Sequence, residues 1–179
     1  YPKPSTDPYN HLAIHPYPSQ LVKTVLLGDG TNIIIRPIRP EDAEMEAKFV
    51  RELSPEAKYF RFMNSVQELS QEMLVRFTQI DYHNEMALIA VDPSGETEEQ
   101  IGVARYTTNL DRKSCEFAIV VSDKWRGTGV GRKLMLELME VARDRDMESI
   151  EGQVLANNTR MLQMMKSLRT LIVEIYLGE

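Results

Sequence analysis

The chain has 179 residues, a formal net charge of −6, 42% hydrophobic residues and one cysteine, enough for one packed domain and too little for two full ones. The single thiol excludes an internal disulfide and fits a reducing, cytoplasmic setting, and no apolar run reaches the ~18 residues that span a bilayer. The acidic balance argues against a nucleic-acid binder, whose affinity rests on clustered Lys and Arg, and suits a basic partner such as a lysine-bearing protein surface. The sequence starts at Tyr1 rather than methionine, as expected of a segment of a longer or processed polypeptide.

Residues 1–19 carry Pro2, Pro4, Pro8, Pro16 and Pro18, which disfavour helix and central strand alike, so residues 1–27 read as a linker or docking arm. His11 and His15 have the spacing of a helical metal pair. The surrounding prolines, and the lack of a Cys or carboxylate cluster, favour a packed linker, and no metal site is expected.

Residues 28–179 are expected to fold as one domain. "TNIIIRPIRP" is a β-branched strand ended by Pro37 and Pro40. Pro40, Glu41 and Asp42 suit a first helical turn, with Met45, Phe49 and Leu53 on its apolar face, and Ser54, Pro55 and Glu56 start a second helix in the same way. "SQEMLVRFTQI" predicts a short helix capped by Ser70, with Met73, Leu74 and Phe77 inward. Three strands follow, "EMALIAVD", "QIGVARYTTN" and "SCEFAIVV", joined by turns. Leu134, Met135, Leu138, Val141 and Ala142 recur at helical spacing. "SIEGQVLA" is a further strand, and residues 159–168 are a last helix with Met161, Leu162 and Met165 inward. The methionines on helices read as core filler rather than metal ligands. The order predicts an α/β domain with a mixed sheet.

Between the strand "SCEFAIVV" and the long helix lies "WRGTGVGRKL". Glycines let backbone approach a ligand, and a helix start offers unpaired N–H groups and a positive dipole, so the loop is a candidate cradle for a phosphate group. A Walker A loop is excluded, because Gly131 is followed by Arg132, Lys133 and Leu134 with no hydroxyl for magnesium. A dinucleotide fingerprint fits poorly, since Arg132 stands where its third glycine belongs and a β-meander precedes the loop. A tight strand-to-helix connection with no ligand is the plain alternative.

In "SCEFAIVV" strict alternation puts Cys115, Phe117, Ile119 and Val121 on one face, and Glu116 with Ala118 and Val120 on the other. A carboxylate buried in an apolar strand is costly unless used or paired. It reads either as a catalytic base or as the partner of an arginine such as Arg105 across the sheet.

The spacing Arg126, Gly129, Gly131 resembles the acyl-CoA pyrophosphate loop of the GNAT superfamily of N-acetyltransferases. The "RPIRPEDA" helix entry, the meander and "NNTRMLQMMKSL" fall in that superfamily's order. The last segment resembles its second CoA-contacting motif, with Asn158 at the asparagine position and Met161 where a small residue is usual. Longer phrases, "HLAIHPYPSQL", "IIIRPIRPEDAEMEAKFVRELSPEAKYFRFM", "QIDYHNEMALIAV" and "CEFAIVVSDKWRGTGVG", are similar to the Pat-type bacterial protein lysine acetyltransferases. The resemblance runs from about Thr31 to Leu168.

It implies a GNAT-like α/β fold, with a mixed, mostly antiparallel central sheet flanked by helices. It also implies acetyl-CoA as cosubstrate without a metal, and a protein substrate acetylated on lysine, notably acetyl-CoA synthetase. Glu116 then matches the general base. Backbone N–H groups of Arg126, Gly127, Thr128, Gly129, Val130, Gly131 and Arg132 are expected to hold the pyrophosphate, and Ile119, Val120 and Val121 the pantetheine amides. Asn158 is expected either to bond the pantetheine arm or to serve as a helix N-cap. Two departures stand out. Met165 occupies the position of the tyrosine that many relatives use as general acid. After Leu168 the chain reads "RTLIVEIYLGE", which supplies one strand over residues 170–177 and leaves the C-terminal strands incomplete, an edge that favours homo-oligomers. An acetyl-CoA-sensing regulatory module of a larger acyl-CoA synthetase-like protein, and a small-amine acetyltransferase, are the alternative readings.

Overall fold

The β-branched and apolar runs of the sequence assemble into one curled six-stranded sheet with helices on both faces, seen in a computed structural model that describes residues 16–62, 68–153 and 157–168, the side chains of 59, 60 and 62 excepted. In chain order the elements are β1 (Lys23–Leu26), β2 (Asn32–Pro37), α1 (Ala43–Glu52), α2 (Pro55–Phe62), α3 (Gln71–Thr78), β3 (Glu85–Asp92), β4 (Glu99–Thr108), β5 (Ser114–Val121), α4 (Val130–Asp144), β6 (Ser149–Glu151) and α5 (Thr159–Ser167). The spatial order equals the sequence order. The pairings from β1 to β5 are antiparallel, and only β5 to β6, which α4 connects, is parallel, as a helical crossover requires.

The sheet divides the apolar residues in two. Phe117 and Ile119 of β5 join Leu134, Met135 and Leu138 of α4 and Met165 of α5 in one cluster. Val120 joins Phe49, Val50 and Leu53 around α1 in the other. This is the period-2 alternation expected of β5. Side chains at 49, 50 and 53 make a helical stripe with Glu46, which is 2% exposed despite its charge.

Three features differ from the sequence reading. Lys23–Leu26, read as the end of the proline-rich arm, forms edge strand β1 against β2. Upstream of it the Tyr17 hydroxyl donates to the Pro37 carbonyl at 2.7 Å. The strand expected over 149–156 ends at Glu151, and residues 154–156 of that range lie outside the described residues. Arg105, offered as a partner of Glu116 in the alternative to the catalytic-base reading, instead bonds Glu46 at 3.1 Å and the Phe77 carbonyl at 2.6 Å. The register explains this: Arg105 stands opposite Ala118, and Glu116 opposite Thr107. His11, His15 and residues 169–179 lie outside the described residues. Among the described residues no helix is long and apolar enough to cross a membrane.

Candidate active site

The short β6 is what opens the site. It pairs with β5 at Ser114, Cys115 and Glu116 only, so the far half of β5 has no neighbour on that side among the described residues. The next in-register pair would be Phe117 with Gly152, and the Phe117 ring already fills the place of a side chain there. A Cβ on Gly152 would lie 2.3 Å from it. Hydrogen-bond parity then fixes which backbone groups are free. Ser122 N–H donates to the Ile101 carbonyl and Asn109 N–H to the Ser114 carbonyl, at 2.8 and 2.9 Å. Even-numbered residues of β5 therefore bond β4, the Phe117 N–H is taken up by β6 at Glu151, and the Phe117 carbonyl with the N–H and C=O groups of Ile119 and Val121 face the gap. Val120 also borders the cavity, but its backbone is committed to Val103.

The open edge leads to the glycine loop. Gly127 and Gly129 have φ of 75° and 92°, a left-handed region that disfavours any residue with a Cβ. They turn the chain so that Gly129 becomes the N-cap of α4. The first helical bond runs from Lys133 N–H to the Gly129 carbonyl at 3.0 Å, so the N–H groups of Val130, Gly131 and Arg132 have no intrahelical acceptor. No acidic residue occupies that first turn. The Thr128 hydroxyl is turned back to the Trp125 carbonyl at 2.6 Å.

A cavity of 1050 Å³ joins these parts, at the upper end of pockets that take drug-sized ligands, about 300–1,000 Å³. Glu116, the open edge of β5 and the glycine loop make one side, with Asn158, Arg160, Met161 and Met164 opposite. Of the residues singled out in the sequence, Glu116, Ile119, Val120, Val121, Arg126, Gly127, Gly129, Val130, Gly131, Arg132 and Asn158 all line this cavity; Thr128 does not. Asn158 caps α5, its Oδ1 accepting the Met161 N–H at 3.4 Å, and it also borders the cavity, so the two expectations for it are compatible. The two arginines of the loop are engaged. Arg126 lies 2.6 Å from Asp123, and Arg132 donates to the Ser167 hydroxyl at 2.7 Å.

Glu116 corrects one expectation. The expectation is a carboxylate buried in an apolar strand, whereas Glu116 is exposed among the described residues, beside the point where β6 ends. A second cavity, of 490 Å³, meets the first at Glu116, Phe117, Ala118 and Arg61. Arg61, Arg76 and Arg105 surround the Phe77 ring there, at 4.6–5.6 Å from its centroid. Burial, then the like charges of Arg105 and Arg76, bring Arg61 down to about 10, with Glu46 opposing the shift. Cys115, next to Glu116, is fully buried, and burial pushes its thiol up to about 12, which removes it as a nucleophile.

The sequence reading missed one wall of the cavity. Met161 stands in the segment that resembles a CoA-contacting motif, but Arg160, Met164 and Ser167, which follow the same helical spacing, are not singled out there as lining. Arg61 and Glu56 reach the site from α2 through tertiary packing that no local pattern contains.

The comparisons with known proteins agree with this geometry. The family model for the acetyltransferase (GNAT) domain matches residues 32–169. Acetyltransferase PA5475 of Pseudomonas aeruginosa is 38% identical over 130 residues, covering 70% of this chain and 69% of that protein. Acetyltransferase Pat of Mycolicibacterium smegmatis is 28% identical over 150 residues, or 83% of this chain and 44% of that protein, so the chain spans less than half of that relative. Among solved structures, the GNAT domain of S. lividans PAT superposes with a TM-score of 0.79 at 29% identity, covering 86% of this chain and 90% of that one. A strand edge opened by a short neighbour, a helix N-terminus free of acids beside it and a family match across most of the chain lead to one conclusion: this chain belongs to the GNAT family of acetyltransferases, which use acetyl-CoA.

Proposed function

We propose that the chain transfers acetyl from acetyl-CoA directly to lysine side chains of a protein, such as acetyl-CoA synthetase, with Glu116 as general base. The observation that carries this reading is the single cavity that runs from the free N–H groups of α4, along the open edge of β5, to Glu116. The N–H groups of Val130, Gly131 and Arg132 take the pyrophosphate, and the edge groups of Ile119 and Val121 bond the pantetheine amides. One of these N–H groups polarises the thioester carbonyl. Asn158 keeps its capping role and turns its amide N–H groups toward the pantetheine arm.

A lysine amine has an ordinary pKa of about 10.4, so presenting it neutral at pH 7 costs about 4–5 kcal/mol. A positioned base contributes roughly 10²–10⁴ in rate, or about 3–5 kcal/mol, a contribution of the size needed. The acceptor approaches through the second cavity, which meets the donor cavity at Glu116. Exposure lets Glu116 pass the proton on to water. Met165 is buried and donates no proton, so the departing thiolate, a fair leaving group, is protonated by solvent.

Calorimetric titration with acetyl-CoA, followed by CoA-thiol release with acetyl-CoA synthetase as acceptor, tests this. Glu116→Gln should bind acetyl-CoA like the parent and release thiol at least about 10²-fold more slowly. Binding without release by the parent would favour the acetyl-CoA-sensing module instead, and no binding by the parent would overturn the donor-site reading.

A further inference from the structure

Asp123 stands where the two walls of the larger cavity meet. Its Oδ2 accepts the Ser54 backbone N–H at 2.8 Å and its Oδ1 the Ser54 hydroxyl at 3.0 Å. The Ser54 oxygen in turn accepts the Ala57 N–H at 3.1 Å, which makes it the cap of α2. That helix supplies Glu56, Ala57 and Arg61 to the wall beside Glu116. The same Oδ1 lies 2.6 Å from Arg126 Nη2, at the start of the glycine loop. One carboxylate oxygen is therefore shared by the cap of the acceptor-side helix and the first arginine of the donor-side loop. Both side chains keep about a third of their surface in contact with solvent, 31% and 33%, so a ligand can reach them.

We propose that Asp123 is a positioning residue that couples occupation of the glycine loop to the setting of α2, so that donor and acceptor binding strengthen each other. This rests on the reading that the loop takes the phosphates of CoA. A diphosphate at the loop carries more charge than one carboxylate and draws Arg126 to itself. Oδ1 then serves Ser54 alone, and its undivided charge faces the positive end of α2. Hydrogen bonds to a charged acceptor are roughly twice as strong as neutral ones, so α2 is held more firmly against the end of β5. Glu56, Ala57 and Arg61 are thereby fixed on the acceptor side.

Hydrogen exchange of the α2 amides, measured on the whole chain with and without saturating CoA, tests the coupling. In the parent, CoA should slow exchange in α2 by about fivefold, the effect of strengthening one capping interaction. In Asp123→Asn that response should vanish while calorimetry still registers CoA binding, and the acceptor KM should rise with kcat little changed. Arg126→Met keeps the cap and removes its competitor, so α2 should be protected to the CoA-bound level before CoA is added. A merely structural Asp123 does not produce that result. Unchanged α2 exchange in the CoA-saturated parent, or a response that survives in Asp123→Asn, overturns the coupling. No heat of CoA binding to the parent overturns the loop reading itself.

Discussion

Gly129 and Gly152 are required for different physical reasons, and replacing each separates ligand binding from packing. Gly129 has φ 92° with no atom within 4 Å of an added Cβ, so Gly129→Ala is strained in the backbone alone. It should cost about 1–2 kcal/mol of stability and weaken CoA binding, because relief of the strain turns the first N–H groups of α4 away from the cavity. Gly152 has ordinary backbone but would drive a methyl into the Phe117 ring. Gly152→Ala should cost about 1–3 kcal/mol, and Phe117→Leu in the same chain should recover part of that loss. Urea unfolding of the two single variants and the double variant measures this non-additivity; strict additivity would mean that the ring and Gly152 do not compete for one space.

Cys115 gives a prediction with a definite sign. Burial, and then the Glu151 carboxylate, raise its thiol from 9.0 to about 12. Between those values the unfolded thiol has lost its proton and the folded one keeps it, so the native state binds more protons and stability falls as pH rises. The slope is up to about 1.4 kcal/mol per pH unit. Below pH 9.0 the contribution is fully present. Denaturation of Cys115→Ala across the window from 9.0 to about 12 should show a flatter decline than the parent, and parallel curves would contradict this account.

At the scale of elements, α1 is tied to β4 by one buried acid. Glu46 accepts from Arg105 and from the Gln100 amide, and Arg105 also holds the carbonyl of Phe77 in α3. Glu46→Ala leaves a buried guanidinium without its carboxylate and should cost about 3–5 kcal/mol. Glu116→Ala, on an exposed site, should stay within about 0.5 kcal/mol while slowing transfer at least about 10²-fold. The same pair indicates what the sequence could carry. Period-2 alternation told which face Glu116 occupies, because side-chain direction in a strand is local. Its exposure depends on β6 ending at Glu151, and its lack of Arg105 on a cross-strand register, neither of which is local. Glu46 was legible in principle, since it shares the 3.6-residue stripe of Phe49, Val50 and Leu53; an acid on such a stripe signals a buried partner. The glycine loop was readable for the opposite reason, since its requirements are met within ten residues.

At the scale of the molecule, the cleft lies between the β5 edge with the start of α4 and the residues of α5. On the described residues, α4 is linked to α5 across it by the Arg132 to Ser167 bond and by the packing of Met161, Met164 and Met165. A ligand that contacts the α4 N-terminus, the open β5 edge and the start of α5 together binds only the assembled fold. It should stabilise that fold by about 2.7 kcal/mol at one hundred times its Kd, a rise in Tm of roughly 5–10 °C for a chain of this size. The β5 edge can be isolated by comparing CoA with adenosine 3′-phosphate 5′-diphosphate, which keeps the pyrophosphate and has no pantetheine, at one fixed concentration. If the backbone groups of Ile119 and Val121 bond pantetheine, CoA has the lower Kd and gives the larger shift. Equal shifts would confine recognition to the glycine loop and leave the opening between β5 and β6 to the acceptor alone.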